Sequence, residues 1–537
     1  MYAALRKWPS GMLFTAVTER WCSMEERCWD LQPCDAVMRA SGLRLLLLLL
    51  LCAEPLSAQG LGGSQQPART PLVPGKPFLV VWGIPDSACP GRPDPAAFGM
   101  EGSDQVAVFY EDSLGLYPYY SARDQPVSGG LPQHTRLDVH LQRVEADLNL
   151  ALPSADFAGL AVLRWEEWAP QWGRNCAKQE IYQEESRALL RGFFPDWSPA
   201  EVDQWAKVDF EAAAQAILME TLREVKRLRP KALWGMAPYP NCYTSGPSQL
   251  WANFTGRCPT AETALNEELV WLWKRSSALY PSLQLDKAAG TSGARLYASN
   301  QVREALRVAA MTRSGCDLPV FPLVKSVYIS STAFLSQVDL VNTIGESAAV
   351  GAAGVIIWEK SLSTKTQRGC WELADFMREV LGPYVVNVTA ASRLCGVVLC
   401  KGRGRCVRRI PESPAYLHLP PASFLLLPNE GGGIQAEGDL APSDLEAWRK
   451  DFQCQWYEGL EGAAADEQSP AGGAQEPDWG TPTSTGQTEE TGYTANTAGT
   501  TGAPQEPSAG VPWNNSSPSL PSPIFILLLP TSVWLTC

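Results

Sequence analysis

Short apolar runs alternate with longer amphipathic stretches from about residue 78 to residue 382. Runs of four to eight apolar residues are typical of buried strands, whereas apolar positions recurring every three or four residues are typical of helices that face a core. The predicted strands span 78–82, 106–110, 159–165, 232–236, 282–285, 320–325 and 354–358. The predicted helices span 137–150, 179–193, 202–228, 260–279, 302–311 and 338–350. This alternation predicts a parallel sheet covered by helices, and about 300 residues of it are typical of a (β/α) barrel.

The strand predicted at 159–165 carries the most informative side chains. It lies in the segment Ala158-Gly-Leu-Ala-Val-Leu-Arg-Trp-Glu-Glu-Trp-Ala-Pro170. Because side chains alternate between the two faces of a strand, Arg164 and Glu166 are predicted to share one face. Two carboxylates at these positions, at the mouth of a barrel, would form the acid site of a glycosidase. The arginine replaces the first of them.

Both ends of the chain carry targeting signals. Seven consecutive leucines, 45–51, follow Arg39 and Arg44 and precede small residues that end at Ala58. This pattern predicts a signal peptide over 38–58 that starts at Met38, with 1–37 as an upstream extension. A type II membrane anchor is the alternative, although the apolar run is short for a membrane span.

The C-terminal end is apolar from Ile524 to Leu529 and has no basic residue after this run. Residues 520–537 therefore predict a GPI-attachment signal, with small acceptor residues at 508–510 or 514–517. The predicted protein lies on the extracellular face of the plasma membrane, held by a lipid anchor, and secretion after trimming is the alternative. Residues 462–519 are rich in Gly, Ser, Thr and Pro and predict a disordered, O-glycosylatable stalk.

Composition excludes some classes of partner. The formal charge of −13 argues against nucleic acid, and binding of a polyanion would need a local basic groove, for which Arg174, Lys178 and Lys325 are candidates. The three histidines are not in metal-ligand spacing, so neither a metal nor a cofactor is predicted. Asn253 and Asn387 begin predicted N-glycosylation motifs.

The segment 158–170 resembles the active-site strand of the hyaluronidases, the glycoside hydrolase family that cuts hyaluronan, in which the motif runs Asp-Trp-Glu-x-Trp. Further matching segments are 106–118, 233–235, 239–242, 254–258, 344–349, 351–358 and 382–389. The resemblance implies a distorted TIM-like (β/α) barrel over 77–390. It also implies a small disulfide-rich, truncated EGF-like module over 391–458.

The resemblance also implies a set of disulfides. The family pairs fall on Cys89–Cys370, Cys242–Cys258, Cys395–Cys406 and Cys400–Cys454. Ten cysteines remain between the two targeting signals, and Cys176 and Cys316 have no counterpart in the family pairs. These two are predicted to lie at opposite ends of the barrel, too far apart to pair with each other.

In the family mechanism, a glutamic acid protonates the glycosidic oxygen while the acetamido oxygen of the substrate attacks the anomeric carbon. An aspartate and tyrosines orient that acetamide. The match makes Glu166 the proton donor. Four family site residues are replaced, by Arg164, Ala237, Gln284 and Ile329, whereas three aromatic residues still match and predict a floor for a sugar ring, namely Tyr110, Trp165 and Trp358.

Two interpretations of Glu166 follow, as a salt-bridge partner of Arg164 or as a residual catalytic acid. The first predicts a hyaluronidase-family protein whose catalysis is weak or lost and which binds a hyaluronan- or chondroitin-type glycan, or a surface partner. The alternative is an active hyaluronoglucosaminidase that uses Glu166 as general acid in a rearranged site. A third functional class is a structural surface protein that has no affinity for sugars.

Overall fold

The computed structural model describes residues 66–242, 254–312, 315–329, 331–359, 366–429 and 431–460. The upstream extension, signal peptide, stalk and GPI-attachment signal predicted from the sequence lie outside these ranges, as does Asn253. Within these ranges, no helix has the length and apolar character needed to cross a membrane.

Parallel strands occupy every position where the sequence predicts a barrel strand. In chain order the strands are β1 (Leu79–Trp82), β2 (Val106–Phe109), β3 (Tyr119–Tyr120), β4 (Pro126–Val127), β5 (Leu160–Arg164), β6 (Leu233–Ala237), β7 (Ser282–Leu283), β8 (Leu323–Lys325), β9 (Gly354–Trp358), β10 (Gly404–Arg408), β11 (Phe424–Pro428), β12 (Ile434–Gly438) and β13 (Phe452–Trp456). Strand β8 begins three residues later than predicted. Pro322 explains this, because proline has no N–H to donate to the ladder.

The barrel strands form two parallel ladders, β1–β9–β8–β7 and β2–β5–β6. Within the described residues, the two ladders are not joined by strand pairing between β1 and β2 or between β6 and β7, where only individual hydrogen bonds occur. Glu101 accepts a hydrogen bond from the Trp82 amide beside β1, and Trp234 of β6 accepts one from the Ser277 amide. The barrel is therefore distorted, with its hydrogen-bonded ladder interrupted on two sides.

Helices follow the strands, as the alternation predicts. They are α1 (Leu137–Ala151), α2 (Glu180–Phe193), α3 (Pro199–Leu228), α4 (Thr260–Glu268), α5 (Val270–Trp273), α6 (Gly290–Ala310), α7 (Gln337–Leu340), α8 (Glu346–Val350), α9 (Gln367–Phe376), α10 (Gly382–Val398) and α11 (Pro442–Asp451), with π-helical turns at Val341–Gly345 and Met377–Leu381. Helix α3 starts earlier than predicted because Ser198 and Glu201 form a capping box and Pro199 occupies the first turn.

Alternation along the strands divides the core of the barrel into three parts. Inside the barrel, residues of even number on β5 and β9 pack together, for example Val162, Ile356 and Trp358. Their odd-numbered neighbours face the helices, so Leu163 packs with one outer cluster and Val355 with another. This arrangement fixes which strand residues can reach the barrel mouth, defined here as the end formed by the carboxyl ends of the seven parallel strands.

The C-terminal region is built on the barrel rather than separated from it. The predicted border between residues 390 and 391 falls inside helix α10. Val385 of α10 packs in a barrel cluster, whereas Cys395 packs with the residues of the C-terminal region. The predicted border thus lies within a single helix that contributes to both cores.

The structure joins the cysteines in the four pairs that the resemblance implies, Cys89–Cys370, Cys242–Cys258, Cys395–Cys406 and Cys400–Cys454. The last two pairs connect α10 to β10 and the turn before β10 to β13. Cys176 and Cys316 are not joined to each other.

Candidate active site

The upper layer of the barrel interior is formed by the last residues of four strands. Arg164 ends β5, Ala237 ends β6, Lys325 ends β8 and Trp358 ends β9. In a parallel barrel these positions line the mouth, where catalytic residues of such barrels are placed. The structure therefore brings Arg164 and Trp358 together across the interior, although they are far apart in the sequence.

Arg164 occupies the centre of this layer. Its guanidinium carbon lies 3.4 Å from the centre of the Trp358 ring, which is cation–π geometry. The residue is 6 % exposed, and its Nη1 has no hydrogen-bond partner among the described residues. One face of Trp358 is therefore covered by a permanent cation.

Glu166 forms an ion pair with Arg164, as one of the two sequence interpretations predicts. The distance between Arg164 Nη2 and Glu166 Oε1 is 2.7 Å, and the Glu166 side chain is 37 % exposed. The two atoms are close, but their orientation is not that of a directed hydrogen bond, so the attraction is chiefly Coulombic. The backbone oxygen of Glu166 accepts a hydrogen bond from Gln179 Nε2 at 2.8 Å. The candidate acid thus stands at the edge of the mouth, beside a cation.

The other three replaced positions provide neither a carboxylate nor a phenol. Ala237 is 1 % exposed and contributes only a methyl group to the barrel interior. Gln284 Nε2 donates a hydrogen bond to Ser282 Oγ at 3.0 Å. Ile329 is 39 % exposed, and its amide donates to the Leu285 oxygen.

Trp165 does not present a face to the mouth. It is 1 % exposed and stacks on Tyr117 with ring centres 4.6 Å apart, while its Nε1 donates to the Tyr110 backbone oxygen. The alternation that brings Arg164 and Glu166 to one side sends Trp165 to the other. The expected aromatic floor is corrected in this respect, because Trp165 supports the mouth from behind.

Tyr110 follows β2 directly and is half-buried. Of the three predicted aromatic residues, Tyr110 is thus half-buried just beyond β2, and Trp358 is partly covered by Arg164.

Glu359 is a site residue that the sequence reasoning missed. It follows Trp358, is 8 % exposed, and has an Oε2 without a hydrogen-bond partner in the described part of the chain. Burial raises the pKa of the Glu359 carboxyl, and the charges of Lys325 and Arg164 partly offset this rise. The available signal was its position just beyond the end of a buried strand, the same reasoning that singled out Glu166.

Arg174 was expected in a basic groove and is instead a structural residue. It is 5 % exposed, and its Nη2 lies 2.8 Å from Glu262 Oε2 and 2.9 Å from Asn266 Oδ1. Because Glu262 neutralises the charge of Arg174 and Asn266 accepts a hydrogen bond from it, this guanidinium is not available to bind a ligand. The other two candidates for a basic groove differ from Arg174. Lys178 is exposed, and the charge of Lys325 acts on the Glu359 carboxyl.

The histidines have protein partners. His140 Nδ1 accepts a hydrogen bond from the Leu116 amide at 3.0 Å, and its Nε2 lies 2.8 Å from Thr221 Oγ1. His418 Nε2 lies 3.0 Å from the Tyr384 hydroxyl, and His134 Nδ1 lies 2.7 Å from the Gly129 oxygen. No group of three metal-ligating side chains occurs within the ranges that the structure covers.

Comparisons with known proteins agree with this geometry. A family model described as Hyaluronidase matches residues 67–469. Human hyaluronidase-2 is 39 % identical over 428 residues, which are 76 % of this chain and 90 % of that protein. Human hyaluronidase-1 is 39 % identical over 426 residues, which are 77 % of this chain and 96 % of that protein.

Solved structures show the same relationship. A crystal structure of bee venom hyaluronidase matches with a TM-score of 0.53 and 29 % identity, covering 57 % of this chain and 99 % of the bee protein. Bee venom hyaluronidase in complex with a hyaluronic acid tetramer matches with a TM-score of 0.54 and 28 % identity, covering 57 % of this chain and 98 % of the bee protein.

Proposed function

Since the chain belongs to the hyaluronidase family of glycoside hydrolases, we propose that it is a member whose catalysis is weak or lost and which acts as a glycan-binding or interaction protein at the cell surface. The observation that carries the proposal is the position of Arg164. Its guanidinium lies on Trp358 and pairs with Glu166, the residue that matches the family's proton donor.

The proposed loss of activity has an electrostatic cause. In the family mechanism, the acetamide that attacks the anomeric carbon develops positive charge, and a nearby anion would stabilise it. Arg164 puts a cation in that place, and Ala237 removes a phenol that would orient the acetamide. Each lost transition-state contact of this kind costs about 10²- to 10³-fold in rate, although such losses do not add simply.

The covered face of Trp358 adds a steric cause. A sugar ring stacks on an aromatic side chain only if a ring face is open, whereas the guanidinium at 3.4 Å covers one face of Trp358 and the whole residue is only 5 % exposed. A ligand that enters the mouth therefore first contacts the partly exposed side chain of Glu166 and the half-buried Tyr110. Binding of a hyaluronan or chondroitin segment along the mouth is compatible with this, whereas deep insertion of an acetamide is not.

The test is a hyaluronan-degradation assay on the secreted ectodomain, run from acid to neutral pH beside human hyaluronidase-1. We expect turnover at least about 10²-fold slower than that of the relative, by the loss of transition-state contacts. The double variant Arg164→Asp with Ala237→Tyr should recover part of the rate. Rapid turnover that Glu166→Gln abolishes would contradict the proposal.

A second candidate function is an active hyaluronoglucosaminidase with a rearranged site, in which Glu166 acts as general acid. The burial of Glu359 favours a variant of this mechanism in which Glu359, rather than Glu166, acts as the general acid. A general acid must carry its proton, and burial raises the pKa of the Glu359 carboxyl, which directly follows Trp358. Any residual hydrolysis should therefore fall more in Glu359→Gln than in Glu166→Gln. The reverse order would return the role of acid to Glu166.

We further infer the setting of the protein from segments outside the described residues. The predicted signal peptide and GPI-attachment signal support an extracellular, lipid-anchored protein. Phosphatidylinositol-specific phospholipase C should then release it from cells, and retention with an intact C-terminal epitope would argue for a membrane span. The disulfides Cys395–Cys406 and Cys400–Cys454 support the truncated EGF-like module.

Glycosylation belongs to the same proposal. Asn387 is half-buried on α10, and its Oδ1 accepts a hydrogen bond from the Leu419 amide at 3.1 Å. A glycan is attached through Nδ2, so modification of Asn387 is compatible with this hydrogen bond.

A further inference from the structure

A cavity of about 200 Å³ lies at the end of the barrel opposite Glu166. Its lining includes Leu233, the first residue of β6, together with Phe321, two residues before β8, and Ala353, directly before β9. The amino ends of parallel barrel strands meet at one end, away from the mouth. Arg405 of β10 and Tyr457, just beyond β13, complete the wall. We call this space the floor cavity.

The polar side of the floor cavity is cationic. Arg69, Lys231 and Arg405 all line it, and none of the described residues brings a carboxylate to the wall. Lys231 pairs with Asp156, whose carboxylate lies 2.7 Å away outside the lining. Arg405 is 7 % exposed and uses its Nε to donate to Gln455 Oε1 at 2.9 Å. A buried guanidinium at the edge of a cavity is a strong site for an oxyanion, since its planar donors match a carboxylate.

Tyr457 supplies a neutral donor beside these cations. The residue is 5 % exposed, and its hydroxyl has no hydrogen-bond partner among the described residues. Burial raises the pKa of Tyr457 to about 12, so the hydroxyl keeps its proton at physiological pH. A buried donor without a partner costs free energy, and an oxyanion in the cavity would satisfy it.

The rest of the lining is apolar, including Leu72, Pro319 and Phe321. Pockets for drug-sized ligands span about 300–1,000 Å³, so this cavity suits a smaller molecule. A ligand with an anionic group and a compact organic body would match both the cationic and the apolar parts of this wall. An inorganic ion would match only the cationic part.

We propose that the floor cavity is a binding site for a small organic carboxylate of about monosaccharide size, such as a sugar acid, with its carboxylate held by Arg405 and Tyr457. The site is separated from the mouth by the length of the barrel and does not depend on the function proposed for Glu166. Its occupation would connect the barrel floor to the C-terminal region, because the wall is drawn from both.

Asp317 gives the site a pH dependence. Arg405 is surrounded by Gln455, Tyr457 and Asp317, of which Asp317 carries the counter-charge. Burial raises the pKa of Asp317 to about 6, against the opposing effects of Arg405 and Gln455. As the pH falls through this value, Asp317 becomes neutral and Arg405 loses its internal counter-charge. Affinity for the anion should therefore be greater at pH 5 than at pH 7.

The test is calorimetric titration of the whole ectodomain with glucuronate, with neutral glucose and inorganic sulfate as comparison ligands, at both pH values. Glucuronate should bind saturably and more tightly at pH 5, glucose should not bind, and sulfate should bind more weakly. Glucose binding as tightly as glucuronate would overturn the proposal. Sulfate binding as tightly as glucuronate would overturn the assignment to an organic acid.

Variants locate the site. Tyr457→Phe keeps the ring and removes the donor, and Arg69→Gln changes a surface cation, so the second variant tests the site even if the first impairs folding. Each should weaken glucuronate about tenfold, as expected for one hydrogen bond or charge to an anion. Arg136→Gln, which removes an exposed arginine elsewhere, is the matched control. Loss of binding in Arg164→Ala, with normal binding in Tyr457→Phe, would place the anion at the mouth and overturn the proposal.

Discussion

Arginine at position 164, compared with an aspartate, changes both the charge and the shape of the barrel mouth. An aspartate there would present a short anion at the end of β5. Arginine has a longer side chain, and with 6 % exposure it fills space in the upper layer of the interior while its guanidinium stacks on Trp358. Arg164 therefore changes the charge beside Glu166 and also covers one face of Trp358.

Replacement of this arginine should lower stability even if the protein is not an enzyme. Arg164→Ala removes a desolvated cation–π contact, which is worth about 2 kcal/mol, while the part-exposed Glu166 can be solvated again at little cost. We expect the free energy of unfolding to fall by about 1–2 kcal/mol in urea titrations. Arg164→Lys should restore only part of it, because an ammonium lacks the planar face. An unchanged midpoint in Arg164→Ala would show that the stacking carries no stability.

The residue predictions succeed where strand periodicity alone decides them. The period of two placed Arg164 and Glu166 on one face, and their ion pair follows from that. The same rule, applied one residue further, would have turned Trp165 away from the mouth, but the family match suggested a floor residue instead. Glu359 could have been found by the same rule, since it follows the end of β9, whereas the burial of Arg174 depends on contacts with the distant α4, which no local pattern encodes.

Among the elements, α1 shows how a buried histidine is held in one protonation state. The Leu116 amide donates to His140 Nδ1, which must therefore be unprotonated, and His140 Nε2 faces Thr221 Oγ1 on α3. Burial lowers the pKa of His140, with a smaller opposing effect from the Leu116 hydrogen bond. The contact between α1 and α3 thus depends on a neutral imidazole.

This contact predicts a loss of stability in acid. A lowered folded-state pKa means that the unfolded chain binds the proton more readily, so stability is lost as the pH falls below the unfolded value of about 6.5. In His140→Gln, thermal unfolding between pH 7.5 and pH 5 should show a shallower decline than in the wild type. His134→Gln, which changes an exposed histidine, is the matched control for the loss of an imidazole. Equal slopes in all three proteins would contradict the assignment.

Element boundaries were predictable wherever a local signal exists. Strand β9 was predicted with the observed bounds because both its ends are marked by a change from apolar to polar or small residues. The predicted β8 is three residues too long because the apolar run that predicts it includes Pro322. Helix α3 starts three residues before its apolar periodicity begins, because the capping box of Ser198 and Glu201 fixes its first turn.

For the whole molecule, the attachment of the C-terminal region to the barrel matters more than the border between them. Helix α10 runs through both cores, and Arg408 of β10 pairs with Glu346 of α8 in an environment with no solvent exposure for either side chain. Arg408 Nη1 lies 3.0 Å from Glu346 Oε2 and also donates to the Ala415 oxygen at 3.2 Å. These contacts predict that the barrel and the C-terminal region unfold together.

Breaking the buried pair tests this cooperativity. Glu346→Gln leaves the Arg408 guanidinium buried without its counter-charge, which should cost about 3–5 kcal/mol, whereas the double variant Glu346→Leu with Arg408→Met removes both charges and should cost much less. Arg303→Gln, which breaks an exposed pair with Glu412, is the matched control and should cost at most about 1 kcal/mol. Urea unfolding followed by tryptophan fluorescence and by far-UV circular dichroism should give one coincident transition in every variant. Separate transitions for the two probes in Glu346→Gln would show that the C-terminal region folds independently of the barrel, because the shared helix would then fail to couple them.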